Sequence, residues 1–461
     1  MVYLMVKYGE EILLDLLNMF NLKPLLNISS RFTPIIVGIL PAFFTARFLG
    51  PENFAEYNLI FVFVTLTTNI FIAPFGTYLN NNSVSFQKKN ILTVNLAYFL
   101  KYNFIVYLFL SSILYFYLDL SLISLNLSQL FIISFGIFFL NTLLQTFLSV
   151  LNYLGDILFF NIFTVLFVVF SIASSLVCIY VFDVTVFNWI IGTIIVQFFF
   201  LVFLIIYFQL KKYIIFSEIN IKDYDFSIIV KIYKYASPLI LTNFTMWIVY
   251  QAYKFYLPDL MGLSQAGIFL AGYGLASITV SLVERVSLVL IWPVFFKKNE
   301  NSMSLNNIDL NEYLKFILNC LFVIFIILFI YGDFLISFVL GENYVESYLY
   351  LILGIIAESL RVFINSLFVV YYLKKNTKSI FYYHFFIAIL FFILLFIFKE
   401  SMNVFIIISS LSFSLLISIT HFLFINNNLK LSLNIKFLIV IGVVFTLIYL
   451  SSLMGSFFFN S

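Results

Sequence analysis

Long apolar runs separated by short polar breaks dominate the chain, and the runs recur at the length that a lipid bilayer sets. A hydrocarbon core about 30 Å thick takes roughly 20 helical residues to cross. Runs at 27–48, 54–79, 92–118, 127–150, 157–182, 187–210, 233–257, 265–294, 313–338, 345–372, 379–398, 402–425 and 434–457 reach that length. The pattern predicts thirteen spanning helices, with 12 to 14 the range that the run boundaries allow. Ahead of the first run, Leu13, Leu16, Leu17 and Phe20 recur at i, i+3, i+4 and i+7 beside Glu10, Glu11 and Asp15. This is the spacing of a short amphipathic helix lying on the membrane surface. The segment lacks a small-residue cleavage site and does not read as a signal peptide.

Composition agrees with the runs. Of 461 residues, 63% are hydrophobic and only 10% charged, against about 45–50% and 25% in globular proteins. That balance excludes a free-standing soluble enzyme, a nucleic-acid-binding domain and a secreted disulfide scaffold, so no nucleic-acid partner is expected. Cys178 and Cys320 both lie inside apolar runs and read as small packed hydrophobes rather than a disulfide.

The placement of charge says more than the net +3. With the N-terminus inside, seventeen of the 24 basic residues fall in cytoplasmic segments, among them Lys88, Lys89, Lys211 and Lys212. Outer loops hold Arg47, Lys254 and Lys399, and spans hold Arg31, Lys101, Arg285 and Arg361. This is the positive-inside bias, and it predicts a cytoplasmic N-terminus. The two longest polar connections, about 211–231 and 297–312, both fall on the inner side, and no extramembrane domain is left to carry separate chemistry.

The loop Arg47-Phe48-Leu49-Gly50-Pro51-Glu52-Asn53-Phe54-Ala55-Glu56-Tyr57 joins spans one and two, and Met261-Gly262-Leu263-Ser264-Gln265-Ala266-Gly267-Ile268-Phe269 joins spans seven and eight. Gly50 aligns with Gly262 and Tyr57 with Phe269, a shift of 212 residues. Six spans per half is an even number, so both halves start on the same side and the repeat is parallel. The expected fold is an all-α polytopic membrane protein of two six-helix lobes. Its organisation is a cytoplasmic amphipathic segment over 1–26, an N-terminal lobe over 27–210, a linker over 211–232, a C-terminal lobe over 233–425 and an additional helix within 426–461.

The string from Arg47 to Tyr57, with Gly50 and Pro51 at its turn, resembles the loop after the first helix of bacterial polysaccharide-export proteins. Ser237-Pro238-Leu239 and the segment Gly332 to Tyr344 are similar to theirs as well. The chain thus resembles the oligosaccharide-lipid flippases of the MOP superfamily, the group of the O-antigen flippases (Wzx), related to lipid II flippases and MATE drug exporters. Ala55 departs from the glycine common in that loop. The resemblance implies alternating access between two lobes and carriage of an undecaprenyl-pyrophosphate-linked oligosaccharide across the bacterial inner membrane. It further implies that the lipid-linked oligosaccharide, the bilayer and other surface-polysaccharide assembly proteins are the partners.

Charged residues within spans are the candidate site. Each costs about 2.5 to 3.5 kcal/mol at a helix centre on insertion scales, so it faces an interior cavity or snorkels. Arg31 lies in span one, Lys101 in span three, Glu284 and Arg285 in span eight, and Glu358 and Arg361 in span ten. A cationic interior suits a pyrophosphate. Arg31 either lines the cavity or snorkels to the interface. Lys101, about ten residues into its helix, has less freedom to snorkel. Glu358 and Arg361 are spaced i, i+3, which fits a self-contained ion pair as well as a substrate contact. Glu284 and Arg285 point about 100° apart, so Arg285 takes its partner from elsewhere, Glu358 or the ligand. Arg285 is the strongest single candidate, and helices one and eight line the cavity in the lipid II flippases that the chain resembles.

Pro34, Pro41, Pro74 and Pro238 remove helix hydrogen bonds and mark sites for bends or for repair by neighbouring helices. Asp223-Tyr224-Asp225 has the form of a metal-binding DxD but sits in a short linker and reads as a solvated turn. His384 and His421 lack a surrounding Cys or carboxylate cluster and read as packing residues. No phosphate-binding loop, zinc-protease or nucleophile-elbow motif occurs, so neither a catalytic residue, a metal nor a cofactor is expected. Two alternatives stay open: a MATE-like cation-coupled drug exporter and a membrane glycan polymerase. The first wants carboxylates in spans one to six, where none sits centrally, and the second wants a large outer loop.

Overall fold

The computed structural model describes residues 23–119, 126–214, 226–290, 307–373 and 376–425; side chains before residue 40 and at some helix ends are not among them. All regular structure among the described residues is helical. The predicted surface segment at 1–26 lies outside this set except for its last residues, and the predicted final span at 434–457 lies outside it entirely.

In chain order the helices are α1 (Lys23–Thr67), α2 (Ala73–Lys88), α3 (Leu92–Asp119), α4 (Leu127–Ser134), α5 (Thr142–Leu154), α6 (Ile157–Val181), α7 (Val186–Leu210) and α8 (Phe226–Tyr250). After them come α9 (Leu257–Met261), α10 (Leu263–Leu290), α11 (Asn307–Val339), α12 (Tyr348–Leu367), α13 (Val369–Leu373), α14 (Thr377–Ile397) and α15 (Val404–Ile425). Ten stretches among the described residues are long and apolar enough to cross a membrane. The first, Leu40–Lys88, contains the kink at Gly50 and carries the predicted second span with the end of the first. The predicted span 233–257 loses regular α-helix at Tyr250 and continues as a 3-10 turn over Ala252–Tyr256. The protein is a multi-pass membrane protein.

Two compact units emerge, one of residues up to Phe48 with Phe63–Ser237, the other of Leu49–Val62 with Pro238 onward. The division thus falls inside α8 at Ser237 and Pro238 rather than within the expected linker, and Leu49–Val62 packs with the second unit. Physical contacts explain the second point. The Phe54 ring meets Tyr344 edge-on at 6.3 Å, and the Trp247 indole N–H donates to the Val62 carbonyl at 3.0 Å.

In the first unit, α6 and α7 approach closely because Gly192 leaves no side chain against the Ser175 backbone, and the Ser175 hydroxyl donates to the Trp189 carbonyl at 2.8 Å. Small residues set such distances in membranes, where lipid already solvates apolar surface. The outward faces stay greasy: Phe170, Val177 and Phe199 are exposed, an arrangement that suits lipid and not water. A π-helical turn over Thr68–Ile72 precedes Pro74, which has no backbone N–H to donate. There the Tyr102 hydroxyl donates to the Phe71 carbonyl at 2.6 Å, and the Tyr233 hydroxyl bonds to that of Tyr102. The π-turn before Pro74 is thus tied to neighbouring helices through the Phe71 carbonyl. The side chains of Pro34 and Pro238 lie outside the described set.

The three loop glycines of the second unit adopt one conformation. Gly50 (φ 74, ψ 169), Gly262 (φ 79, ψ 160) and Gly341 (φ 103, ψ 170) occupy a region that side chains with a Cβ avoid. Gly50 and Gly262 are the positions that the 212-residue repeat aligns.

Candidate functional site

The intramembrane charges of the second unit come together through close packing of α10 and α12. A Cβ on Gly272 would meet Ser347, and one on Gly354 would meet Ala276 and Tyr273. Small residues at these crossings let long side chains further along the two helices reach each other. Arg361 is the hub. Its Nε donates to Glu358 Oε2 at 2.7 Å, its Nη1 to Glu284 Oε2 at 3.2 Å and its Nη2 to the Ser281 hydroxyl at 2.9 Å. The remaining carboxylate oxygens are also met: the Tyr273 hydroxyl donates to Glu358 Oε1 at 3.0 Å, and the Asn365 amide donates to Glu284 Oε1 at 3.1 Å. Tyr250 of α8 completes the cluster, its ring centre 5.9 Å from the guanidinium carbon.

The hub is well shielded: side-chain exposure is 14% for Arg361, 5% for Glu358 and 26% for Glu284. The three ion-paired charges sum to −1, because two carboxylates share one guanidinium, and the Lys254 ammonium of the same unit also acts on Glu358. Hydrogen bonds from Tyr273 and Asn365 spread the excess, which is what makes such a group tolerable in low dielectric. Glu284, the most open of the three, is where the network meets its surroundings.

Arg285, one residue on, is exposed on α10 and makes no ion pair among the described residues. Its adjacency to Glu284 with a turn of about 100° puts one charge into the network and the other out of it. Of the partners the sequence allows for Arg285, Glu358 is taken: Arg361 and Tyr273 hold it. Glu358 and Arg361 do pair along their own helix, and Arg361 also crosses to α10, a contact that i, i+3 spacing does not reveal.

In the first unit, Lys101 is exposed on α3. Arg31 lies within α1, and its side chain falls outside the described residues. In the loop that carries the family resemblance, Arg47 is exposed and Pro51 is half-buried, with its carbonyl against Gly267. Tyr57 packs on Phe61 with ring centres 4.4 Å apart. Ala55 is fully buried, so only a small side chain fits where the resembling loops have glycine.

His384 is buried with Phe368 edge-on at 5.2 Å, and His421 lies against the rings of Tyr383 and Phe386. No group of three or more His, Cys, Asp or Glu placed to hold a metal occurs among the described residues. Asp223 and Asp225 lie outside them, and Cys178 and Cys320 are both free. Sequence reasoning missed Ser281, Tyr273 and Asn365. Asn365 follows Glu358 by seven residues and Arg361 by four, and Ser281 precedes Glu284 by three, so polar residues on one face of an otherwise apolar helix were the available signal.

A family model described as polysaccharide biosynthesis protein matches residues 44–349. The chain belongs to the polysaccharide biosynthesis protein family. Its fold is that of the MOP superfamily. An inward-facing multidrug resistance MATE transporter of that superfamily superposes with a TM-score of 0.64 at 11% identity, covering 88% of this chain and 98% of the other. The lipid II flippase MurJ in an inward closed conformation superposes with a TM-score of 0.61 at 17% identity, covering 93% and 92%. A MOP superfamily transporter from Pyrococcus furiosus, described as having a binding pocket of reversed polarity, gives 0.56 at 11% identity, covering 88% and 96%. No curated protein sequence matches the chain.

Proposed function

We propose that this protein is a flippase that moves an undecaprenyl-pyrophosphate-linked oligosaccharide, an O-antigen or other surface-polysaccharide repeat unit, from the cytoplasmic to the outer leaflet of the bacterial inner membrane by alternating access. Membership of the polysaccharide biosynthesis family supports the glycan, and a fold shared with a lipid II flippase supports the lipid carrier. The observation that carries the reading is Arg285. A guanidinium exposed on a spanning helix needs an anion or water, because bare hydrocarbon is costly for it. A pyrophosphate supplies acceptors for its planar fork of donors. In this reading Arg285, Arg31 and Lys101 contact the substrate, while Arg361, Glu284 and Glu358 form the rigid support next to it. No covalent bond is made or broken.

A second reading, a cation-coupled drug exporter, draws on one specific observation: Glu284, the most open carboxylate of the network, shares Arg361 with Glu358, and such a carboxylate attracts a proton or a cationic molecule. The test places the chain in a bacterium that assembles a matching lipid-linked oligosaccharide and lacks its own flippase. Surface glycan returns with the native chain and is lost with a stably inserted Arg285→Ala. Glycan held on the inner leaflet despite normal insertion, together with lowered accumulation of a cationic dye, moves the exporter to the front.

A further inference from the structure

A cavity of about 470 Å³ opens in the first unit where α2 and α7 end and α3 begins, walled by the turn from Gln87 to Thr93 and by Lys212 and Tyr213. The size falls within the roughly 300–1,000 Å³ of small-molecule sites, but those are mostly apolar. This one is lined by Lys88 and Lys212, by Gln87, Asn90 and Thr93, and by Leu92 and Tyr213. Neither Lys88 nor Lys212 makes an ion pair among the described residues. The carboxylate that the wall residue Tyr213 contacts, Asp156, accepts from the hydroxyls of Tyr213 at 2.8 Å and Tyr207 at 3.3 Å. Lys89 and Lys211 extend the positive charge, the latter lying 5.7 Å from the Tyr207 ring centre. Two lysines thus line the cavity and two more neighbour them in the chain.

The backbone adds a second observation. Asn90 and Lys212, both with φ 57, are the two non-glycine residues of positive φ among the described residues, and both line this cavity. Their turns are built alike. Asn90 and Ile91 N–H groups donate to the Gln87 and Phe86 carbonyls, and Lys212 and Tyr213 N–H groups to the Gln209 and Phe208 carbonyls. Helix α5 ends in the same motif with Gly155 (φ 97), the residue that this conformation favours. At 212 a lysine stands where glycine is relaxed. Strain retained at a cavity wall is a mark of use.

We propose that this cavity binds a phosphate group, with Lys88 and Lys212 as its charged walls and Gln87, Asn90 and Thr93 as neutral donors. Spanning helices end here, at the depth of lipid headgroups. The phosphate is accordingly that of an anionic phospholipid, and inorganic phosphate is the soluble source of the same chemistry. The site is separate from the Arg361 network and does not depend on what the protein transports.

The full chain is purified from vesicles of phosphatidylcholine with or without phosphatidylglycerol. Retained lipid is counted by native mass spectrometry, and the melting temperature is read with and without inorganic phosphate. Phosphatidylglycerol is expected to be retained over phosphatidylcholine and to raise the melting temperature. Lys88→Gln with Lys212→Gly should weaken retention by roughly tenfold or more, the loss expected for charge-assisted contacts, whereas Lys399→Gln leaves it unchanged. Lys212→Gly alone relaxes the turn, so it should bind less while melting no lower, which separates ligand loss from misfolding. Equal stabilisation by inorganic phosphate assigns the site to soluble phosphate. Retention that ignores headgroup charge, or that survives both substitutions, overturns the proposal.

Discussion

Arg361 and Arg285 are the same residue type in spanning helices of one unit, yet their surroundings call for opposite consequences of removal. Arg361→Leu leaves Glu284 and Glu358 without their shared counter-charge inside the helix packing. Breaking one partner from a buried ion pair costs about 3–5 kcal/mol, since the other charges stay behind. Unfolding in detergent should show this loss, and adding Glu358→Gln should recover part of it by removing one stranded carboxylate. Arg285→Ala removes an exposed side chain, so its stability should stay within about 0.5 kcal/mol of the native chain. Its expected defect is in transport alone. If Arg285→Ala instead destabilises as much as Arg361→Leu, the assignment of support to one and contact to the other is wrong.

At the scale of elements, glycine governs how the helices turn and approach. Gly50→Ala puts a Cβ on a backbone at φ 74 with nothing within 4 Å of it, so its cost is conformational, about 1–2 kcal/mol. Gly262→Ala should cost the same, because its backbone is the same. Gly267→Ala is harsher: its Cβ would run into the Pro51 carbonyl, a backbone atom that cannot swing aside. Gly274 sits in α10 with open space around its Cβ position, so Gly274→Ala should gain about 0.5–1 kcal/mol from helix propensity. Melting temperatures of the four variants in one detergent check the order. A loss at Gly274 as large as at Gly267 would refute the packing described for α10.

At the scale of the whole molecule, the distribution of lysine makes a claim about sidedness. In a chain carrying Cys178→Ala and Cys320→Ala, a membrane-impermeant thiol reagent should reach Lys399→Cys from outside the cell. Lys89→Cys should react only after the membrane is opened. The reverse labelling would invert the orientation and place the lysine-lined cavity on the outer face. The pairing follows from the positive-inside bias, which acts on short loops like these.

Hydrophobic runs alone were enough for the class and the approximate span positions, because bilayer thickness imposes a length that any sequence must meet. The loop from Arg47 to Tyr57 was legible for a related reason: a turn between helices needs glycine at Gly50 and Gly262, and that need is written in residue types. The pairing of Glu358 with Arg361 could be read from spacing, since it lies within one helix. Its extension to Glu284, Ser281 and Asn365 could not, because it depends on how closely α10 and α12 cross, which Gly272 and Gly354 permit but no linear pattern states. The cavity at Lys88 and Lys212 stayed hidden for the same reason. Two lysine pairs more than 120 residues apart became one site only when the ends of α2 and α7 met. Local chemistry is set by nearest neighbours along the chain, whereas a charge's partner is set by distances that folding alone creates.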